Sequence, residues 1–225
     1  MKTEEIAQRR LGAVAFLDVL GMRGIWQQDM NVLKRLHELI QKTIIESKEI
    51  SDDYSNLAEF QKQKRGQEEI TKIISISDTI AMFTAGDSEK SIEIQAKICA
   101  WLLEYALLQG LPLRGTISYG EYMVKDNIMI GYAVDEAASW HETTDWIGVV
   151  LSPSAQIKVN GNNLEAITEY KHIPFKIPER NLNMCVDWNV KNRIKLHDII
   201  FSKGPHTPEI APKYLNTLSF LDRNK

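Results

Sequence analysis

Residues 13–17 (AVAFL) form a short, unbroken apolar run that ends abruptly at Asp18. A run of this length without alternation is typical of a central strand that is buried on both faces of a sheet. Gly21 and Gly24 follow within a few residues and allow the chain to turn. The sequence therefore predicts a layered fold with a carboxylate at the end of an inner strand.

Along the rest of the chain, the spacing of hydrophobic residues is typical of strands in some segments and of helices in others. Asn31 is an N-cap candidate for a helix with an apolar stripe, and the polar stretch 46–69 is expected to be a solvated helix end followed by a mobile loop. Residues 72–84 predict a hairpin that turns at Ser77 and Asp78. Further helices are predicted from 88 to Gly110, over 131–142, after Ser152, and near 191–201 and 210–221; further strands are predicted at 113–124, 128–130, 146–151, 172–177 and 183–188.

This order of elements is β-α-β-β-α-β followed by additional strands and helices. It is compatible with a ferredoxin-like α+β sandwich that carries a C-terminal extension, although spacing alone does not separate this fold from other α+β orders. The 225 residues suit one domain. We expect a catalytic-type domain over 11–188, with 189–225 as a C-terminal α/β extension of the same domain, mostly helical.

Composition excludes several classes of protein. Thirty acidic residues against 27 basic ones give a net charge of −3, which argues against a broad basic surface for a nucleic acid polymer. The two cysteines, Cys99 and Cys185, are isolated, so neither a disulfide framework nor a thiolate zinc site is expected. Residues 1–10 lack the apolar core of a secretory signal, and the apolar stretch 98–108 is too short to span a bilayer. We expect a cytoplasmic protein.

Asp18 and Asp78 are the sharpest chemical feature of the sequence. Each follows an apolar strand at a point where the chain turns. If the two strands are neighbours, both carboxylates lie at one rim and repel each other unless a cation lies between them. Magnesium or manganese suits such oxygen ligands, and the backbone carbonyl of Val19 could join them. The alternative is that both aspartates are only turn residues, because Asp is common in turns.

The glycine turn after Asp18 adds a possible phosphate site. Backbone N–H groups of residues 20–23 could cradle a phosphate, and Arg23 could add a charge-assisted hydrogen bond. The helix that follows would direct its positive end toward the same region.

The order of these motifs resembles that of the class III nucleotidyl cyclases. The family's first metal aspartate and glycine turn correspond to 16–21 (FLDVLG), its second metal aspartate to 77–79 (SDT), and its R-G-I-x-x-G-like strand to 114–120 (RGTISYG). A helix that starts at a glycine after a short strand corresponds to 131–141. The resemblance covers about residues 12–155 and implies a ferredoxin-like catalytic domain that holds two Mn²⁺ or Mg²⁺ ions per site.

The sequence departs from the purine cyclases at three places. The second aspartate follows Ser77 instead of glycine, and residues 73–76 (IISI) lack the lysine that reads adenine in those enzymes. Asp135 and Ser139 stand approximately where the family has a transition-state Asn and Arg. The chemistry is therefore either assisted by other residues or slow.

Two further segments, 111–115 (LPLRG) and 145–148 (DWIG), resemble the short bacterial pyrimidine cyclases of the Pycsar antiphage systems. This resemblance implies a cytoplasmic homodimer that converts UTP or CTP into a cyclic monophosphate, which signals to an adjacent effector that senses the cyclic nucleotide. We expect UTP ahead of CTP, and both ahead of purines, because apolar Ile74, Ile76 and Met129 would fill the space left by a smaller base. The neutral amide of Asn127 could pair with the uracil edge.

The resemblance assigns Asp18 and Asp78 as catalytic residues and Asp18, Val19 and Asp78 as metal ligands. The expected nucleotide-binding residues are Phe16, Leu20, Gly21, Met22, Arg23, Ile74, Arg114, Asn127 and Met129. The metal aspartates would come from one subunit and the strand pair 114–130 from the other. Arg114 either faces the neighbouring active site or forms an ion pair with Glu121 or Asp126. Lys176 lies roughly where relatives place a phosphate-binding lysine, and the five histidines show no ligand spacing.

Two other functions stay open at this point. One is a catalytically silent cyclase-like module that binds a nucleotide or a protein partner; the missing Asn and Arg favour it and the two aspartates oppose it. The other is a palm-type nucleotidyl transferase, which the lack of a basic face for a polymer opposes.

Overall fold

The computed structural model describes residues 8–21, 29–65, 69–177, 182–189, 198–199 and 208–223. Over these residues the strands are β1 (Arg10–Val19), β2 (Thr71–Ile76), β3 (Thr79–Ala85), β4 (Leu113–Lys125), β5 (Ile128–Ile130), β6 (Gly148–Leu151), β7 (Ile167–Glu169) and β8 (Met184–Val186). The helices are α1 (Val32–Tyr54), α2 (Ala58–Arg65), α3 (Lys90–Leu108), α4 (Tyr132–Trp140), α5 (Pro153–Val159) and α6 (Ala211–Leu221).

The strands form one sheet in the order β2-β3-β1-β4-β6-β8-β7, and β5 pairs with β4 as a hairpin. Strand β1 lies inside the sheet, antiparallel to both β3 and β4. Strand β6 runs parallel to β4, and α4 makes the crossover between them. The first six major elements thus form the predicted ferredoxin-like βαββαβ core, extended by β6, β7, β8 and α6.

The inner part of strand β1, residues 12–17, is apolar because it contributes to two cores. Leu17 and its alternate neighbours belong to the larger core, to which α1 and α3 contribute, whereas Val14 and Phe16 face a smaller core with Phe83 and the buried side of α4. Residues 12–17 are all buried. The prediction of a central strand buried on both faces is confirmed.

The expectation of a helix end followed by a mobile loop over 46–69 is right for the helix end and wrong, within the described residues, for the loop. Helix α1 continues to Tyr54, and α2 follows almost at once. Besides the partly buried Ile50 and Tyr54, hydroxyl groups carry the buried stripe of this helix end, because Ser47, Ser51 and Ser55 are all buried. Ser51 lies 3.2 Å from the Thr71 hydroxyl on β2. A count of apolar residues does not detect such a stripe.

The expected strand at 172–177 is also wrong. These residues form turns, with an isolated bridge between Thr144 and Phe175. The sheet is instead completed by β7, which pairs with β8. The strand at 183–188 is confirmed as β8.

The end of the chain packs against the sheet through α6, as the apolar pattern at 210–221 predicted. The Thr217 hydroxyl accepts a hydrogen bond from the Ile147 N–H at 2.9 Å, and Phe220 packs edge-on against Trp146. Of the other predicted terminal helix, near 191–201, only 198–199 lie within the described residues. Among the described helices, none combines the length and the apolarity needed to cross a membrane.

Candidate active site

One end of the sheet collects the ends of four elements. Strand β1 ends there, β4 and β6 begin there, and the turn between β2 and β3 lies beside them. The register pairs Asp18 with Thr79 on one side and with Arg114 on the other. We call the edge formed by Asp18, Asp78 and Arg114 the aspartate rim.

The hairpin turn brings Asp78 to this rim. Ser77 takes a positive φ of 57° to close the turn, and the Asp78 carbonyl accepts a hydrogen bond of 3.2 Å from the Val19 N–H. The turn is therefore tied to the last residue of β1. The structure brings together the two aspartates that the strand pattern singled out.

Arg114 lies beside Asp18 of its own chain. Its side chain is only 8% exposed, and its Nη2 atom is 3.4 Å from Asp18 Oδ2 and 3.8 Å from Glu142 Oε2. Its Nη1 atom donates to the Thr144 carbonyl at 3.3 Å. The alternative ion pair with Glu121 or Asp126 is not formed; Glu121 instead pairs with Arg9.

The charges at the rim are unevenly balanced. Burial raises the pKa of the Asp18 carboxyl, and the Arg114 guanidinium opposes that shift. The Asp78 and Glu142 carboxylates raise the pKa further, and His141 lowers it. The net direction is upward, so the ionised form of Asp18 is under-compensated by the protein and would be stabilised by an added cation.

Sequence reasoning missed His141 and Glu142, which lie at the end of α4. The His141 ring is edge-on to Phe16 at 6.1 Å, and its Nδ1 atom is 2.8 Å from the Ala138 carbonyl. No motif marks these residues. The available signal is topological: α4 crosses from the far end of β4 to the start of β6, so its last residues must end beside Asp18.

Lys176 also reaches this end of the sheet. Its backbone N–H donates to the Thr143 carbonyl at 2.9 Å. Burial lowers the pKa of Lys176, and the nearby positive charge of Arg114 lowers it further. Lys176 and Arg114 are therefore close enough to interact, with the Glu142 and Asp145 carboxylates near Lys176 as well.

The glycine turn after β1 is partly committed to the fold. The Leu20 N–H donates to the Pro112 carbonyl at 2.8 Å, so it is not free to bind a phosphate in this arrangement. Gly21 has a φ of +81° with open space around it. Met22 and Arg23 lie outside the described residues.

The residues expected to contact the nucleotide base lie in two separate parts of the structure. Ile74 lies in the smaller core with Phe16 and is almost wholly buried, whereas Ile76, on the same face of β2, is 47% exposed. Met129 packs against the same core. Asn127 is exposed in the β4–β5 turn, roughly 40 Å along the strand from Arg114 at about 3.3 Å per residue. The structure does not bring Asn127 to the aspartate rim of its own chain.

Helix α4 supplies no cation at the two positions that differ from the family. Asp135 and Ser139 are both exposed, and the Ser139 hydroxyl donates to the Asp135 carbonyl at 2.7 Å. Neither side chain takes the place of an arginine.

The rim fits magnesium or manganese better than a metal that needs an all-protein cage. Among the described residues, no group of three or more His, Cys, Asp or Glu side chains could hold a metal ion. Magnesium ordinarily binds through one or two carboxylates, waters and substrate phosphates. The carboxylates of Asp18 and Asp78, with the Val19 carbonyl, would supply such a donor set.

Comparison with known proteins supports the architecture. No protein-family model and no curated protein sequence matches this chain. The adenylyl cyclase CyaB from P. aeruginosa superposes with a TM-score of 0.53 at 16% identity, over 81% of this chain and 96% of that one. The guanylate cyclase domain of RhGC from Catenaria anguillulae, in complex with GTP, gives 0.51 at 14% identity, over 81% and 99%. The chain therefore has the fold of a class III cyclase catalytic domain.

Proposed function

We propose that this protein is a nucleotide cyclase that converts a nucleoside triphosphate into its 3′,5′-cyclic monophosphate and pyrophosphate. The observation that carries the proposal is the pair Asp18 and Asp78 at one rim of a cyclase fold, with the buried Arg114 beside them. Turn formation alone does not require two aspartates to share one rim, or Asp18 to lie where its charge is under-compensated.

In this reaction the ribose 3′-oxygen displaces pyrophosphate from the α-phosphorus in line. Bound Mn²⁺ or Mg²⁺ would lower the pKa of the 3′-hydroxyl and neutralise charge on the phosphates. Asp18, Asp78 and the Val19 carbonyl would hold two such ions. Arg114 and Lys176 supply positive charge for the phosphates, and the low exposure of Arg114 strengthens its field. Positioning and electrostatics thus supply the acceleration.

The active enzyme is proposed to be a homodimer with two composite sites. Asn127 and Met129 lie in the hairpin at the opposite end of β4 from the aspartates, so a second copy is needed to bring them to the rim. Exposed apolar side chains flank this hairpin: Ile128 is 70% exposed, Ile130 52% and Tyr132 65%. A two-fold arrangement would cover them and lay each hairpin over the partner's rim.

The substrate is proposed to be a pyrimidine nucleotide, with UTP ahead of CTP. Strand β2 carries the apolar residues Ile74, which is almost wholly buried, and Ile76, and its residues 73–76 offer no charged donor of the kind that a purine reader needs. Asn127, from the partner chain, offers an amide donor and acceptor for a uracil edge. A cyclic UMP product would serve as a signal to an effector in antiphage defence, consistent with the motifs at 111–115 and 145–148.

The direct test is incubation of the protein with each of the four nucleoside triphosphates and Mn²⁺, followed by separation of the products. We expect cyclic UMP as the major product, and a loss of several orders of magnitude in turnover for Asp18→Ala and Asp78→Ala with the fold retained. Turnover of ATP or GTP at the UTP rate would contradict the substrate assignment. Near-native turnover in Asp18→Ala would contradict the site.

Complementation tests the composite site. An Asp78→Ala chain mixed with an Asn127→Ala chain should regain part of the activity, because one site of the heterodimer keeps both residues. A monomeric active species by sedimentation would contradict the dimer.

The second candidate function is a silent nucleotide-binding module. The observation that favours it is the absence of a cation at positions 135 and 139 of α4. Nucleotide binding by calorimetry without product formation under any metal condition would support this alternative.

A further inference from the structure

We propose that Arg114 is a positioning residue that competes with the divalent cation for Asp18, and that Glu142 holds Arg114 when the cation takes its place. This inference rests on the metal assignment of the proposed function. It assigns to Glu142 a role that no sequence motif indicated.

The geometry places one guanidinium between two carboxylates. Arg114 Nη2 is 3.4 Å from Asp18 Oδ2 and 3.8 Å from Glu142 Oε2. Asp18 has a side-chain exposure of 15% and Glu142 of 58%. Arg114 is thus shared between a mostly buried carboxylate that a metal would use and a solvated carboxylate that it would not.

The other nitrogen atoms of the Arg114 guanidinium show how the group is held in place. Nη1 donates to the Thr144 carbonyl, and Nε has no hydrogen-bond partner among the described residues. A buried, permanently charged group with an unsatisfied donor is costly unless it has a carboxylate partner at all times. Glu142 supplies that partner when the charge of Asp18 is claimed by a metal ion.

The sign of the effect follows from the charges. Without nucleotide, the positive charge of Arg114 opposes a divalent cation at Asp18, so removal of this charge should tighten Mn²⁺ binding by about tenfold or more, given the strength of charge interactions at this separation. With nucleotide bound, the phosphates offer Arg114 a new partner, and the same removal should weaken nucleotide binding. The competition between Arg114 and the cation should therefore make Mn²⁺ bind weakly on its own and well together with the nucleotide.

Glu142 should have the opposite effect to Arg114. With Glu142→Gln, the guanidinium loses its second partner and is held by Asp18 more strongly, so Mn²⁺ should bind more weakly. Part of this loss is a direct effect of one negative charge less. The part that acts through Arg114 should disappear in the Arg114→Gln background, which a double-mutant cycle isolates.

The test is Mn²⁺ binding to the full chain without nucleotide, followed by the electron paramagnetic resonance signal of free Mn²⁺. The variants are Arg114→Gln, Arg114→Lys, Glu142→Gln and the double variant Arg114→Gln/Glu142→Gln, each checked for folding by circular dichroism. Lys158→Gln is the matched control. It removes one positive charge near Asp87, which follows β3 at the other end of the sheet.

We expect tighter Mn²⁺ binding in Arg114→Gln, near wild-type binding in Arg114→Lys and Lys158→Gln, and weaker binding in Glu142→Gln with a smaller Glu142 effect in the double variant. Equal or weaker Mn²⁺ binding in folded Arg114→Gln would overturn the competition. If Arg114→Gln does not fold, Mn²⁺ binding in folded Glu142→Gln that equals or exceeds the wild-type affinity would overturn it. If neither the wild type nor any variant binds Mn²⁺, the metal assignment of the proposed function fails as well.

Discussion

Gly115 lies where two strands approach more closely than a side chain permits. It follows Arg114 on β4 and pairs with Leu17 on β1 and Val149 on β6. A Cβ atom at this position would lie 2.2 Å from the Phe16 carbonyl oxygen and 3.0 Å from the Leu17 Cα atom. A glycine inside a strand is typical of a bulge or of a close backbone approach, and the structure shows the close approach.

Replacement of Gly115 by alanine should force β1 and β4 apart. A tolerable carbon–oxygen contact is about 3.3 Å, so the strands must separate locally by about 1 Å. Overpacking of a well-packed core costs about 1–3 kcal/mol, and each ladder hydrogen bond lost costs about 1 kcal/mol more. We expect the free energy of unfolding to fall by about 3 kcal/mol, which lowers Tm by roughly 6–12 °C for a chain of this length.

Urea and thermal unfolding followed by circular dichroism measure this change. Gly161→Asn is the matched control, because Gly161 has a φ of +83° with open space around it, and asparagine tolerates this conformation. A Gly115→Ala protein whose unfolding free energy stays within about 0.5 kcal/mol of the wild type would refute the reasoning, since that is the range of ordinary surface substitutions.

Three further predictions concern the rim, the C-terminal helix and the cysteines. Asp18→Asn should raise Tm at neutral pH while it abolishes turnover, because the raised pKa of Asp18 means that its ionised form destabilises the fold. This gain should shrink as the pH falls below the raised folded-state pKa and should be lost below the unfolded-state pKa, and a lower Tm at neutral pH would contradict it. Thr217→Val should lower the unfolding free energy by about 1–3 kcal/mol, measured by urea titration, because it leaves the buried Ile147 N–H without an acceptor; no change would show that α6 contributes little to the domain. Burial raises the pKa of the Cys99 and Cys185 thiols, so both should react with a thiol reagent only after unfolding, and rapid labelling of the native protein would count against this packing.

The central part of the fold was predictable because its hydrophobic periods are clear. The unbroken apolar run before Asp18 requires a core on each side of its strand. The alternation of apolar and polar residues on either side of Ser77 and Asp78 predicts a hairpin. Neighbouring antiparallel strands then place both aspartates at one end of the sheet. The candidate metal pair therefore follows from strand order, without any side-chain detail.

The parts that were missed depend on interactions that periodicity does not record. The end of α1 packs through the hydroxyl groups of Ser47, Ser51 and Ser55, which a hydrophobic pattern treats as solvent-facing. The three-residue strand β7 is too short to show alternation, and its pairing with β8 is a tertiary contact. Arg114 was predicted to face another chain or a carboxylate near the hairpin, because sequence distance gives no sign that its partner is Asp18, 96 residues away.

The arrangement that suits the aspartate rim to a divalent cation also makes this rim destabilising to the isolated chain. Asp18 is placed between a second carboxylate and a shared arginine, so its charge is neither solvated nor fully paired. The topology enforces this, since β1 must end where β4 and β6 begin, and α4 must deliver Glu142 to the same end. A divalent cation with nucleotide would compensate the aspartates and give Arg114 a phosphate partner. Ligand binding should therefore stabilise the fold, and a rise in Tm that requires Mn²⁺ and nucleotide together would distinguish this site from one that is already electrostatically satisfied.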